Sequence, residues 1–102
     1  MTDRELLGLA AKAAGINVAW SNENNCYWTR ADAEWWNPLT DDGDAFRLAV
    51  KLRLNVNIYN SVVSYESAEE YIEKHFPQGV VHDVAEATRR AIVRAAAEIG
   101  RG

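Results

Sequence analysis

The chain has 102 residues, of which 48% are hydrophobic and 25% charged, with a net charge of −4. That is the size and make-up of one globular domain, able to bury about two-thirds of its unfolded surface without metal or disulfide support. The acidic balance excludes general DNA binding, where phosphate neutralisation dominates affinity. It also reduces the cationic candidates to local pockets.

The charge is unevenly spread. Residues 1–44 carry eight acids and three bases, whereas 45–102 carry seven acids and eight bases. No period repeats along the chain, and no apolar run approaches the roughly 18 residues of a membrane span. Met1-Thr2-Asp3-Arg4-Glu5 lacks the basic stretch and apolar core of a signal peptide. The single cysteine, Cys26, has no internal partner, so the expected setting is a reducing cytoplasm, with no membrane partner.

Thr2 and Glu5 stand at capping-box spacing ahead of Leu6, Leu7, Leu9, Ala10, Ala13 and Ala14, with Gly15 as a stop. This predicts a helix over 3–14. Val18 and Trp20, then Cys26, Tyr27 and Trp28, flank the turn-forming stretch Ser21-Asn22-Glu23-Asn24-Asn25, which predicts a hairpin. Pro38 keeps Asn37 out of helical geometry. Thr40, Asp41, Asp42 and Asp44 then supply cap oxygens and dipole-matched charge to a helix over 42–53, its buried stripe being Ala45, Phe46, Leu48, Ala49 and Leu52.

Asn55-Val56-Asn57-Ile58-Tyr59 alternates with period two, and Val62, Val63 and Tyr65 follow Asn60-Ser61, so a second hairpin is expected. Ser67 and Glu70 repeat the capping-box spacing and predict a short helix over 67–75, ended by Pro77 and Gly79. Val80 and Val81 add a few extended residues. Val84, Thr88, Ala91, Ile92, Ala95, Ala96 and Ile99 trace a helix over 83–99, with Asp83 as its cap and Gly100 read as a left-handed stop. The expected architecture is a single α+β domain over residues 1–102: a small antiparallel sheet of two hairpins packed by three amphipathic helices, in the order α-ββ-α-ββ-α-α. The Ala91, Ile92, Ala95 and Ile99 stripe is expected to lie on the sheet.

Signatures of chemistry are weak. Asp41-Asp42-Gly43-Asp44 fails the ligand spacing of a calcium loop and reads as capping. Cys26, His75 and His82 are not paired as zinc ligands are, and Cys26 has no basic primer around it. The expectation is no catalytic residue, no metal, no cofactor, and an activity other than catalysis.

Aromatic residues are the unusual feature: Trp20, Tyr27, Trp28, Trp35 and Trp36 fall within seventeen residues, beside Arg30. Trp36, next to Pro38, reads as a packing anchor. Strand alternation turns one member of each adjacent pair away from the core. Such an outward Trp is either packing or a surface that stacks on a ligand, with Arg30 meeting its phosphate. Arg90, Arg94 and Arg101 share a helix face, which is either a solvated face or a cluster for an anionic ligand. The candidate ligand residues are therefore Trp28, Arg30, Trp35, Arg90 and Arg94.

Two segments carry a resemblance. Residues 36–52 hold Trp36-Asn37-Pro38-Leu39, the acidic helix start Thr40-Asp41-Asp42-Gly43-Asp44, and then Ala45, Phe46, Leu48, Ala49 and Leu52; residues 87–100 form the Ala/Arg-rich ending from Ala87 to Gly100. Both look like small proteins of tailed phages and prophages. The layout is similar to the phage α-β-α sandwich domain family and, more distantly, to NinX-like phage proteins. The middle, about 54–82, departs from these. The resemblance implies a phage accessory protein working in the bacterial cytoplasm. Its expected role is to antagonise an anti-phage defence by sequestering a nucleotide-derived immune signal. The alternatives are an inhibitor that binds a host defence protein, or an accessory factor in phage DNA metabolism. A homo-oligomer, most simply a two-fold dimer, is expected because concave ligand sites form readily between subunits.

Overall fold

The computed structural model describes residues 1–59, 62–65, 84–102 and, for the backbone alone, 68–71. The fold is α+β, with elements α1 (Asp3–Ala14), β1 (Val18–Ser21), β2 (Cys26–Thr29), β3 (Trp35–Trp36), α2 (Asp42–Leu52), β4 (Asn55–Asn57), β5 (Val62–Tyr65), β6 (Ala68–Tyr71) and α3 (Val84–Arg101). Two antiparallel three-stranded sheets form, in the orders β1-β2-β3 and β4-β5-β6. Both expected hairpins are present, and each gains a third strand. Among the described residues, no helix is long and apolar enough to cross a membrane.

Local chemistry sets the helix ends. Thr2 Oγ1 accepts the Glu5 N–H at 3.1 Å while the Glu5 carboxylate reaches back to Thr2, closing the capping box; Gly15 takes the left-handed conformation at φ 69°. The hydrogen bonds from Thr2 hold the Glu5 carboxyl below its ordinary pKa. Asp41 caps α2, its Oδ2 accepting the Asp44 N–H at 2.8 Å. Asp44 in turn accepts the Asn37 N–H at 2.9 Å through Oδ2 and Arg47 at 2.8 Å through Oδ1, so one carboxylate ties the Pro38 turn to the helix. Asp44→Ala should remove these bonds and strand the Asn37 N–H, at a cost of about 2 kcal/mol in urea denaturation. An unchanged urea midpoint would show the tie to be idle.

The helix expected over 67–75 is not formed where the chain is described. Ala68–Tyr71 is instead a strand paired to β5, in the register Tyr65↔Ala68 to Val62↔Tyr71. A two-position cap signal is a weak local preference, and β5 offers an open row of backbone donors and acceptors that pairing satisfies. Residues 72–75, the Val80–Val81 extension and the Asp83 cap lie outside the described residues.

The last helix also differs in detail. It packs mainly on α1, and secondarily on α2 and on β5 and β6, rather than on a sheet alone. Small residues make this approach close: Ala10, Ala11 and Ala14 on α1, and Ala91, Ala95 and Ala96 on α3, are all buried. Gly100 is not a left-handed stop, since the helix runs on through Arg101. Its hydrogen faces the backbone of α1, and a β-carbon there would collide with the Leu9 carbonyl oxygen. Leu7, Leu48, Val63, Ile92 and Val93 complete the core, with Trp36 and Leu39 at its edge.

Candidate binding surface

Register sorts the aromatic residues onto two sides of the β1-β2-β3 sheet. Trp20, Tyr27 and Trp36 are directly opposite one another across the strands, and so are Ala19, Trp28 and Trp35. Directly opposed residues in an antiparallel sheet share a face, and neighbours along a strand alternate. The first row turns inward. Trp36 is buried, and the Tyr27 hydroxyl donates to the Arg4 carbonyl in the first turn of α1 at 3.1 Å. Trp20 meets Tyr27 edge-on at 4.9 Å between ring centroids, and the Arg4 guanidinium lies 4.5 Å from the Trp20 ring. The second row therefore turns outward. Trp28 is half-buried and Trp35 is 57% exposed. Arg30, in the turn after β2, is exposed, and its N–H donates to Asn17 O at 3.0 Å.

Arg90 and Arg94 belong elsewhere. Arg90 holds Asp3 at the start of α1 through two bonds, Nη1–Oδ1 at 3.0 Å and Nη2–Oδ2 at 3.3 Å. The hydrogen bond from Arg90 lowers the Asp3 pKa, with Arg94 adding a weaker electrostatic pull; the same bond raises Arg90. The inward row faces α1, so the Trp28–Trp35 row turns away from the end of α1 where Arg90 lies. Of the five sequence candidates, the fold brings Trp28 and Trp35 together and does not bring Arg90 and Arg94 to them. Arg89 is likewise structural, donating to Leu39 O at 2.9 Å and to Asp42 at 2.6 Å.

Because the folded pKa of Asp3 lies below its unfolded value, the pair adds stability at neutral pH. That contribution fades as pH falls through the carboxylate range below about 4. Asp3 is largely solvent-exposed, which limits the effect to about 1 kcal/mol. Asp3→Asn should flatten the acid limb of the stability curve slightly while leaving pH 7–9 parallel to the parent. A difference that instead grew on the alkaline side would contradict the assignment.

Two concavities flank these groups. A cleft of about 310 Å³ lies between the end of α1, the β2-β3 edge and α2, with Ile16, Thr29, Trp35, Trp36, Arg47 and Lys51 in its lining; Trp28 is not part of it. A larger apolar groove of about 720 Å³ runs between α2, β4 and the start of α3, past Phe46, Val50, Leu54, Ile58, Val84 and Ile92.

Arg47 and Lys51 were not singled out by the sequence reading, because an i, i+4 cationic pair on a helix is indistinguishable from a solvated face. Cys26 is half-buried in β2, its thiol directed to the Tyr27 and Trp36 carbonyls at 3.4 and 3.9 Å. His75 and His82 lie outside the described residues. Among those described, no three His, Cys, Asp or Glu side chains gather as a metal site. Comparison with known proteins finds no matching family model, no matching curated protein and no matching solved structure.

Proposed function

We propose that this chain acts by binding rather than catalysis, and that it sequesters a nucleotide-derived signal of bacterial anti-phage defence. The observation that carries the reading is the Trp28–Trp35 pair on the outward face of the first sheet, with Trp35 57% exposed. An indole pair held by a strand ladder is a rigid stacking platform, and base–aromatic stacking contributes about 1–3 kcal/mol per base. Exposed Arg30 supplies a cation for phosphate on the adjoining turn. The phage setting is drawn from the resemblance at 36–52 and 87–100 alone. A two-fold dimer belongs to the same proposal, since a shallow face becomes concave when two copies meet.

The alternative, capture of a host defence protein, draws on the apolar groove. Phe46, Val50, Ile58 and Val84 there are each more than half exposed, so Phe46 is not part of the buried stripe expected of α2, which is made by Ala45, Leu48 and Ala49. Phage challenge of bacteria carrying single defence systems separates the two. Under the main reading, the parent restores phage growth and the Trp28→Ala, Trp35→Ala double variant does not, while Phe46→Ser still does. Rescue that survives the double Trp change and fails with Phe46→Ser moves the function to the groove. No rescue by the parent across a broad panel overturns both.

A further inference from the structure

Resting on the reading of the Trp28–Trp35 face as a ligand surface, we infer that the ligand is a free dinucleotide: two bases, one for each indole, joined by a single phosphodiester that Arg30 receives. Two features of the β1-β2-β3 ladder carry this. The first is the placing of the rings. Thr29 N–H donates to Glu34 O at 2.8 Å, so Trp28↔Trp35 is the adjoining pair without hydrogen bonds between its members. Opposed residues at such a position have Cα atoms about 4.5 Å apart and the closest side chains in a sheet. Two indoles therefore stand side by side on one face, and together they present more aromatic surface than one base covers.

The second feature is charge. Arg30 N–H donates to Asn17 O at 3.0 Å, which is the next step of the β1-β2 ladder beyond Val18↔Thr29. Arg30 therefore continues the alternation of β2 and falls on the same face as Trp28, about 6–7 Å along the strand. Ala19, Ser21 and Cys26, which the register also places on this face, are neutral. Glu34 alternates to the other face, where it lines the cleft beside α2 together with Asp32. Among the described residues, the ladder thus sets one guanidinium and no carboxylate beside the two indoles. One guanidinium matches one phosphodiester, which carries one negative charge. A mononucleotide brings a single base and a second negative charge. A long single strand repeats its charge at every step against a chain of net charge −4.

The test is calorimetric titration of the full chain with three probes: the dinucleoside monophosphate ApA, AMP, and a ten-residue oligodeoxyadenylate. The proteins are the parent, Trp28→Ala, Trp35→Ala, Arg30→Glu and, as a control away from this face, Lys51→Glu; equal thermal midpoints confirm that the variants fold. The expected result is ApA binding at least ten-fold tighter than AMP and tighter than the oligomer. Each Trp change should weaken ApA five-fold or more, since stacking contributes about 1–3 kcal/mol per base. Arg30→Glu should weaken it ten-fold or more, and Lys51→Glu should leave it unchanged. AMP binding as tightly as ApA, or an unaltered ApA affinity in Arg30→Glu, overturns the inference, while binding that still depends on both Trp residues sustains the broader reading. Tighter binding of the oligomer assigns the face to a nucleic-acid strand and overturns the inference. No binding of any probe also overturns it; the broader reading is then judged by phage rescue with the double Trp variant.

Discussion

Gly100→Ala should destabilise the fold by about 2 kcal/mol or more, although alanine is the better helix former. Two effects compete. Replacing glycine inside a helix gains about 1 kcal/mol from propensity. The added carbon would, however, sit against the Leu9 carbonyl oxygen, close to Leu9 C and Ala13 N as well. Those are backbone atoms of a helix, so they cannot swing aside as a side-chain tip can. Relief requires separating α1 from α3, the largest contact in the molecule, and loosening the Ala-lined seam around it. Overpacking of this kind outweighs the propensity gain.

Gly43→Ala is the internal comparison. There the new carbon meets the ends of the Arg47 and Asp41 side chains at 3.1–3.2 Å, which can move. That variant should stay within about 0.5 kcal/mol of the parent. A Gly100→Ala protein as stable as Gly43→Ala would show that the two helices are not this close.

Val93→Asp should be more damaging still. Val93 is fully buried in α3. The change forfeits about 1.5–3 kcal/mol of apolar burial and places a carboxyl in the core, costing several more. The sum approaches the whole stability of an average domain, about 5–15 kcal/mol. The loss should depend on pH with a definite sign. Burial raises the folded pKa of the new carboxyl above its unfolded value, so the penalty grows as pH rises past about 4 and shrinks at acid pH. Denaturation at pH 7 and pH 4 measures both parts. A variant that folds equally well at the two values would place residue 93 in contact with water.

Particular residues show what could be read from the chain before its fold. Both ends of α1 and the start of α2 were legible because Thr2, Glu5, Gly15 and Asp41 act on neighbours within four positions, whereas the left-handed Arg53 that ends α2 carries no such signal. Trp36 was legible as a packing anchor from its place beside Pro38, and it is buried while its neighbour Trp35 is exposed. The β3 strand was hidden, since two residues have no measurable period and only pairing to β2 defines them. Ser67 and Glu70 suggested a helix where Ala68–Tyr71 is a strand, because nothing local announces that β5 has a free edge.

Gly100 was misread for a related reason. A glycine near a helix end serves a left-handed cap or a close approach, and only the partner helix distinguishes them. The arginines of α3 had the right charge for a ligand, yet Arg89 and Arg90 are matched to Asp42 and Asp3, partners more than forty residues away.

The central claim, that the chain holds its ligand on the Trp28–Trp35 face and leaves it chemically unchanged, is tested most directly by mass spectrometry of what the protein carries. Purified protein is incubated with extract from bacteria whose defence has been triggered, washed, and heated to release bound compounds. The expected result is one nucleotide-type compound, intact and near one equivalent per chain or per dimer, recovered with the parent and absent with the Trp28→Ala, Trp35→Ala variant. A compound recovered in altered form, or equal recovery with the double variant, would contradict the account.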